Sequence, residues 1–273
     1  MPETRVVVTR PESDAHQLAR DLTLAGLTPI VLPLIEVAAA DAQAPLVQAW
    51  QGVTDYRAVM FVSANAVTFF FKCRPPALPV FGAPGALEPR AWATGPGTVR
   101  ALLQQGVEQP WIDAPAPGSG RFDSDSLWEI VRSGVRPGDR ILIVRGADGA
   151  DGTDDAQAQP ARGVGRDWLA DQLTQAGARV DFVVAYQRRA PRWDPQQAAQ
   201  ARQAAQDGSV WLFSSAQALA NLRRLLPAQN WAEARAVATH PRIAAAVRHA
   251  GFGVVSESRP VLAELVASIE SIR

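Results

Sequence analysis

Tyr186 is one of two tyrosines in the chain and stands near the end of the run RVDFVVAYQRRAP, Arg179–Pro191. A phenol at a strand exit can donate a proton to a leaving group. The other use of such a residue is as a half-buried strand aromatic. Several small polar side chains stand where an apolar run gives way to a helical pattern: Ser63 and Asn65, Thr94 and Thr98 around Gly95 and Gly97, then Ser124 and Ser126. Backbone N–H groups and a hydroxyl at a helix start bind anions, and the same residues also serve simply as caps. Arg10 and Arg145 end apolar runs, where a guanidinium can hold a carboxylate bidentately or sit in a surface ion pair. His240 stands at a strand exit and reads as a turn residue. His16 falls on an exposed helix face, and His249 near a helix end, where a cation suits the dipole.

These groups describe anion sites with a weak acid beside them. The patterns GxSxG, HExxH and GxxxxGK[ST] are absent. Gly95–Arg100 reads GxGxxR rather than GxGxxG, and no acidic residue follows a second strand at the required spacing, which argues against NAD. Cys73 is the only cysteine, so no internal disulfide and no Cys-rich metal site is expected.

The elements that must position these residues are legible as alternating patterns. Arg5–Thr9, Thr28–Leu32, Arg57–Val62, Ala91–Thr94, Arg140–Val144, the run ending at Tyr186, Val210–Phe213, Ala236–Thr239 and Gly253–Ser256 predict strands, mostly buried on both faces. Arg140–Val144 is expected to end at Arg145-Gly146. Helical patterns between them close at Gly26, Gly106, Gly177 and Gly251. Gly95-Pro96-Gly97 reads as a turn ahead of a helix from Thr98, and Asp123–Ser126 as the cap of a helix from Leu127. Gly149–Gly163 has almost no apolar side chains and reads as a disordered loop insertion. Alternation of strand and helix throughout argues for parallel sheets with helices on both faces.

At 273 residues two domains are the prior, and 47% hydrophobic content is enough for two cores. The formal net charge of +0 gives no general pull toward nucleic acid or an anionic membrane. Lys72 is the only lysine. The arginine bias fits either a coding bias or the recognition of carboxylates and phosphates. No signal peptide or spanning segment is read at the N-terminus or elsewhere, so a cytoplasmic protein is expected.

The sequence also repeats itself. FVSANAV at Phe61–Val67 lines up with FSSAQAL at Phe213–Leu219, and RAWATGP at Arg90–Pro96 with RAVATHP at Arg235–Pro241. Val7–Arg10 matches Ile143–Arg145, each followed by an amphipathic helix, a glycine and a strand. The repeat is permuted, which predicts two similar three-layer α/β domains, 1–37 plus 188–273 and an inserted 38–187. They would be joined by a two-stranded linker at Pro33–Ala40 and Tyr186–Trp193. Ligands of such sheets bind at the carboxyl ends of the strands, so a cleft between two such edges is expected.

With these segments in view the chain resembles the uroporphyrinogen-III synthase family over nearly its whole length. The resemblance rests on VVVTRP, FVSANAV, ATGPGTVRALLQQG, VRG followed by GRDWLADQLTQAGARV, VVAYQRRAP and WLFSSAQALANL, in that order. It implies that linear hydroxymethylbilane is cyclised in the cleft to uroporphyrinogen III, with inversion of ring D and loss of water. That is a lyase reaction of tetrapyrrole and heme biosynthesis with no cofactor and no metal. It implies a monomer that receives its substrate from hydroxymethylbilane synthase. Tyr186 matches the family's cleft tyrosine, a candidate acid for the departing hydroxyl, and Ser63 and Thr94–Thr98 match substrate-contacting turns. Arg10, Asn65, Ser126, Arg145, Gly146, Ser215 and Thr239 complete the expected substrate-binding set. The second repeat departs from the family's Gly-x-x-Thr turn, reading Thr239-His240-Pro241-Arg242, and the 149–163 insertion is atypical. Rival readings are a two-domain anion-binding protein without catalysis and a nucleotide-sugar transferase.

Overall fold

Short apolar segments rich in valine and isoleucine become the strands of two mainly parallel sheets, and the amphipathic segments between them become the covering helices. The computed structural model describes residues 4–79, 81, 89–116, 118–119, 121–148 and 164–273. The insertion expected at Gly149–Gly163 lies outside the described residues.

The order is β1 (Arg5–Val8), α1 (Glu12–Leu24), β2 (Thr28–Val31), β3 (Glu36–Ala39), α2 (Ala44–Gln51), β4 (Ala58–Phe61) and α3 (Ala64–Lys72). Then come β5 (Arg90–Ala93), α4 (Pro96–Gln104), β6 (Ile112–Asp113), α5 (Ser124–Val131), β7 (Arg140–Asp148), α6 (Val164–Gln175) and β8 (Arg179–Arg189). The chain ends with α7 (Pro195–Ala204), β9 (Val210–Phe213), α8 (Ala216–Leu225), β10 (Arg235–Ala238), α9 (Pro241–His249), β11 (Val254–Glu257) and α10 (Leu262–Ser271).

The chain divides into two compact units, Met1–Glu36 with Arg189–Arg273, and Val37–Arg188. In the first, the sheet order is β11-β10-β9-β1-β2, with parallel pairing throughout. Val6, Val8, Val210 and Leu212 face α1 and α10, while Val7, Trp211 and Phe213 face α7, α8 and α9. In the second, the order is β3-β8-β7-β4-β5-β6. Val59 and Phe61 join a core with α2, α3 and α4, while Ala58 and Met60 join one with α5 and α6. Neighbouring residues of one strand thus serve opposite cores, the period-two pattern of a sheet covered on both sides.

The first core of the inserted unit is aromatic. Trp50 stacks on Phe70 at 4.5 Å and donates its Nε1 hydrogen to the Phe70 carbonyl at 2.8 Å. Burying a side chain of this class contributes about 1.5–3 kcal/mol, and the satisfied indole N–H avoids the desolvation cost of an unpaired donor. Gly26 and Gly177 end α1 and α6 with φ of 82° and 88°, the left-handed backbone that glycine adopts without strain.

Several local expectations are corrected. Helix α4 starts at Pro96 with Gly95 as N-cap, because a proline's fixed φ and missing N–H suit the first helical position. Helix α5 starts at Ser124, and the Asp123 carboxylate caps it by accepting from the Ser126 amide at 2.8 Å. The crossing expected at Pro33–Ala40 contains β3, whose neighbour is β8 and whose following residue, Ala40, donates to the Ala185 carbonyl at 3.2 Å. Strand β7 continues past Arg145-Gly146 to Asp148, held by its parallel partner β8. Strand β6 has two residues and no apolar run to announce it.

Candidate functional site

Parallel pairing puts the ends of the paired strands on one edge, and register decides which residues lie side by side there. In the inserted unit Phe61 pairs with Ala93 and with Val144, and Gly146 pairs with Tyr186. Ser63, Gly95 and Gly146 each lie two residues beyond one of these paired positions, which brings Ser63, Gly95, Gly146 and Tyr186 to the same level of the carboxyl edge.

Tyr186 is there by virtue of a bulge. The register runs Arg145↔Val184 and then Gly146↔Tyr186, so Ala185 is an extra residue in β8. Strict alternation would send Tyr186 to the face opposite Ala185. With the extra residue, Val183, Ala185 and Tyr186 all join the core made with α3. The phenol ring lies directly over Gly146: a Cβ there would fall within 2.5 Å of Cε2 and closer still to Cζ. Phe69 of α3 stacks against the ring at 6.0 Å, and the Arg188 guanidinium stands 5.9 Å from its centroid. Tyr186 is 1% exposed, so its hydroxyl meets protein rather than solvent. The partner is Ser63 Oγ at 3.0 Å, and Ser63 also caps α3 by accepting from the Ala66 amide at 3.2 Å.

Among the other expected residues of this unit, Asn65 lies half-buried in the first turn of α3. Thr94 and Gly95 are half-buried ahead of α4, whereas Thr98 is 5% exposed. Ser126 gives its backbone amide to Asp123, and that bond holds the Asp123 carboxyl below its usual range. Arg145 lies over the Phe182 ring at 4.4 Å. It neighbours Gly146 in β7, so alternation puts it on the opposite face of the sheet from Gly146 and Tyr186.

The first unit builds a simpler edge. Arg10, two residues past β1, donates from Nε to Ser214 Oγ at 3.2 Å. Thr9 is buried and donates to the Leu212 carbonyl at 2.6 Å. Ser215 is the N-cap residue of α8 without a side-chain cap bond. The Thr239 amide donates to the Phe213 carbonyl, and the adjacent His240 caps α9 through Nδ1, which accepts from the Arg242 amide at 3.1 Å. The structure thus gathers Tyr186, Ser63 and Gly146 in one unit, and Arg10 with Ser214 in the other.

Three neighbours were passed over in the sequence. Ser214 had a signal, because it stands where its counterpart in the repeat is the apolar Val62. Phe69 and Arg188 had none, since their contacts with Tyr186 depend on the packing of α3 and the turn of β8.

Other polar clusters lie at the far end of the strands. Tyr56 Oη donates to Asp181 at 3.1 Å and Arg140 donates to the same oxygen at 2.7 Å. Burial pushes the Tyr56 phenol up, helped by the Asp181 charge. Burial also pushes Asp181 up, but the hydrogen bonds from Arg140 and Tyr56 outweigh it and leave this carboxyl below its ordinary value. A cavity of about 140 Å³ lined by Arg57, Arg90, Trp92 and Asp113 opens near the starts of β4 and β5, away from Tyr186. There Asp113 accepts from Arg90 and from the Trp92 indole. Burial raises the Cys73 thiol, which disfavours the nucleophilic thiolate. Among the described residues no three or more His, Cys, Asp or Glu side chains gather as a metal site, and no helix is long and apolar enough to cross a membrane.

Comparison with known proteins places the chain in a family. The family model described as uroporphyrinogen-III synthase HemD matches residues 16–267. A curated uroporphyrinogen-III synthase from Chlorobaculum parvum is 32% identical over 148 residues, 52% of this chain and 53% of the relative. The match therefore spans about half the length of that relative. The crystal structure of uroporphyrinogen-III synthetase from Helicobacter pylori superposes with a TM-score of 0.55 at 12% identity, covering 99% of this chain and 100% of that one. A mutant uroporphyrinogen III synthase from the extremely thermophilic bacterium Thermus thermophilus has a TM-score of 0.49 at 16% identity, with 98% of each chain covered. The Helicobacter pylori match bears on the α/β fold alone. The family model covers nearly the whole chain, and on that ground the chain belongs to the uroporphyrinogen-III synthase family.

Proposed function

We propose that the chain converts hydroxymethylbilane to uroporphyrinogen III, inverting ring D and eliminating water, as a step of tetrapyrrole and heme biosynthesis. The observation that carries the reading is the hydroxyl pair of Tyr186 and Ser63 at the start of α3, 3.0 Å apart. It is a weak acid set beside a helix N-terminus, on the edge where parallel α/β sheets take their ligands.

The chemistry asks little more. The substrate carries eight carboxylates, and the first turns of α3 and α4 in the inserted unit, like those of α8 and α9 in the other, offer amide hydrogens that attract anions without a large net charge. Arg10 adds a charged donor. Electron-rich pyrroles react readily once the hydroxyl departs, so the protein's main task is to hold the chain where the substituted carbon of ring D attacks and a spiro intermediate forms. The Tyr186–Ser63 pair supplies the proton that turns the leaving hydroxyl into water. The same reading makes the protein a cytoplasmic monomer without metal or cofactor, supplied by hydroxymethylbilane synthase.

A coupled assay tests it. Hydroxymethylbilane is generated in place by its synthase, the protein is added, and the uroporphyrin isomers are separated after oxidation. Isomer III in excess over the spontaneous isomer I is the expected result. Isomer I alone, from a folded sample, overturns the reading and favours a binding protein.

A further inference from the structure

We propose that Ser63 is the group that gives its proton to the leaving hydroxyl, and that Tyr186 acts through it. This rests on the reaction assigned above. A phenol that is 1% exposed does not meet a substrate directly. Turning it outward breaks its bond to Ser63, its stacking on Phe69 and its seat over Gly146. Ser63 is half-buried at the N-cap of α3, on the same sheet edge, and its hydroxyl is the one the phenol meets.

The donor and acceptor capacity of Ser63 fits this role. A serine hydroxyl has one hydrogen and two lone pairs. One lone pair accepts the Ala66 amide at 3.2 Å; the 3.0 Å contact with the Tyr186 hydroxyl allows either oxygen to donate, and in the relay Tyr186 donates to the second lone pair. The Ser63 hydrogen is then left to point away from both partners, toward a ligand. The positive end of α3 lies behind Ser63 and favours charge that develops as the hydrogen departs.

The step balances. The C–O bond of the hydroxymethyl group breaks with its electron pair on oxygen, which takes the Ser63 hydrogen and leaves as water. The Tyr186 hydrogen moves to Ser63 Oγ, and a phenolate remains. After ring closure, the proton lost from the pyrrole carbon as aromaticity returns neutralises the phenolate. The net change is the loss of one water.

The test compares Ser63→Ala, Ser63→Thr, Tyr186→Phe and Ser63→Ala/Tyr186→Phe in the coupled assay, with kcat and KM separated. Ser63→Ala is expected to lower kcat by at least as much as Tyr186→Phe, by about 100-fold, the low end for acid–base catalysis, at unchanged KM. The double variant falls no further than Ser63→Ala, and Ser63→Thr recovers most of the rate because it keeps the hydroxyl. Ser63→Ala also removes a cap, so melting is followed alongside. Ser63→Gly, a milder loss of the cap, repeats the measurement on a more stable protein. An active wild type in which Ser63→Ala keeps its rate while Tyr186→Phe loses it overturns the relay and makes Tyr186 the direct donor. Separate losses that multiply in the double variant also overturn it. A wild type that yields only isomer I overturns the assigned reaction and the relay together.

Discussion

Replacing Gly146 by alanine should unseat Tyr186, and the size of the effect follows from the structure. Gly146 does not have positive φ, so its backbone accepts an alanine without strain. On backbone grounds alone, alanine in a strand interior would be more stable than glycine by ~0.5–1 kcal/mol. The contact reverses the sign. The new methyl would lie within 2.5 Å of Tyr186 Cε2, inside the ring's van der Waals surface. Overpacking of this kind costs about 1–3 kcal/mol, and the bond to Ser63 is lost with it. The assay is chemical denaturation of four proteins: wild type, Gly146→Ala, Tyr186→Ala and the double variant. Tyr186→Ala should itself cost about 3–5 kcal/mol, as other large aromatic truncations do. Once the ring is gone, Gly146→Ala should become neutral or stabilising, a coupling of ~1–3 kcal/mol between two touching residues. Isomer III formation by Gly146→Ala should fall at least as far as in Tyr186→Phe. Equal stability of wild type and Gly146→Ala, or the same cost in both backgrounds, would refute the argument that this glycine exists to seat the ring.

Two further outcomes are expected. Asp181→Asn should lower stability by ~1 kcal/mol at neutral pH, the scale of a partly exposed charged pair. Because the folded-state carboxyl lies below its unfolded value, the deficit is fully present above pH ~4 and vanishes as the pH falls through the folded value; a deficit that persists in acid would show that the Arg140–Asp181–Tyr56 cluster is not its source. Arg10→Gln should raise KM about tenfold, the effect of one lost charged hydrogen bond of ~1.5 kcal/mol, with stability within ~0.5 kcal/mol of wild type as for most surface changes. An unchanged KM would remove Arg10 from the substrate-binding set.

The strands that form both cores were legible because their residues are buried on both sides. RVVV, AVMF, RILIV and VWLF are continuous apolar runs, and such runs have few other soluble uses. The helix ends at Gly26, Gly106, Gly177 and Gly251 were equally plain, since each adopts positive φ. Strand β6 was missed for the converse reason, and β3 was read only as a linker segment rather than as a member of the sheet. Glu36–Ala39 and Ile112–Asp113 are short and carry acidic residues, and they become strands only because β8 and β5 lie beside them. The helix starts were located to within a few residues, but which residue caps each one was settled by local geometry: Asp123 rather than the serines at α5, and His240 at α9.

The sequence by itself determined the alternation of strand and helix, the aromatic and valine-rich cores and the positions of the polar turns, because these follow from side-chain chemistry and spacing within a few residues. The arrangement around Tyr186 is of another kind. Tyr186 is separated from Ser63 by 123 positions along the chain. They meet because β4, β7 and β8 are neighbours in that order and because Ala185 is an extra residue that turns the tyrosine to the face of α3. A period-two reading assigns that tyrosine to the wrong face. Sheet order and register are set by which pairing buries the most apolar surface and satisfies the most backbone groups over the whole unit, so only the tertiary structure could decide them.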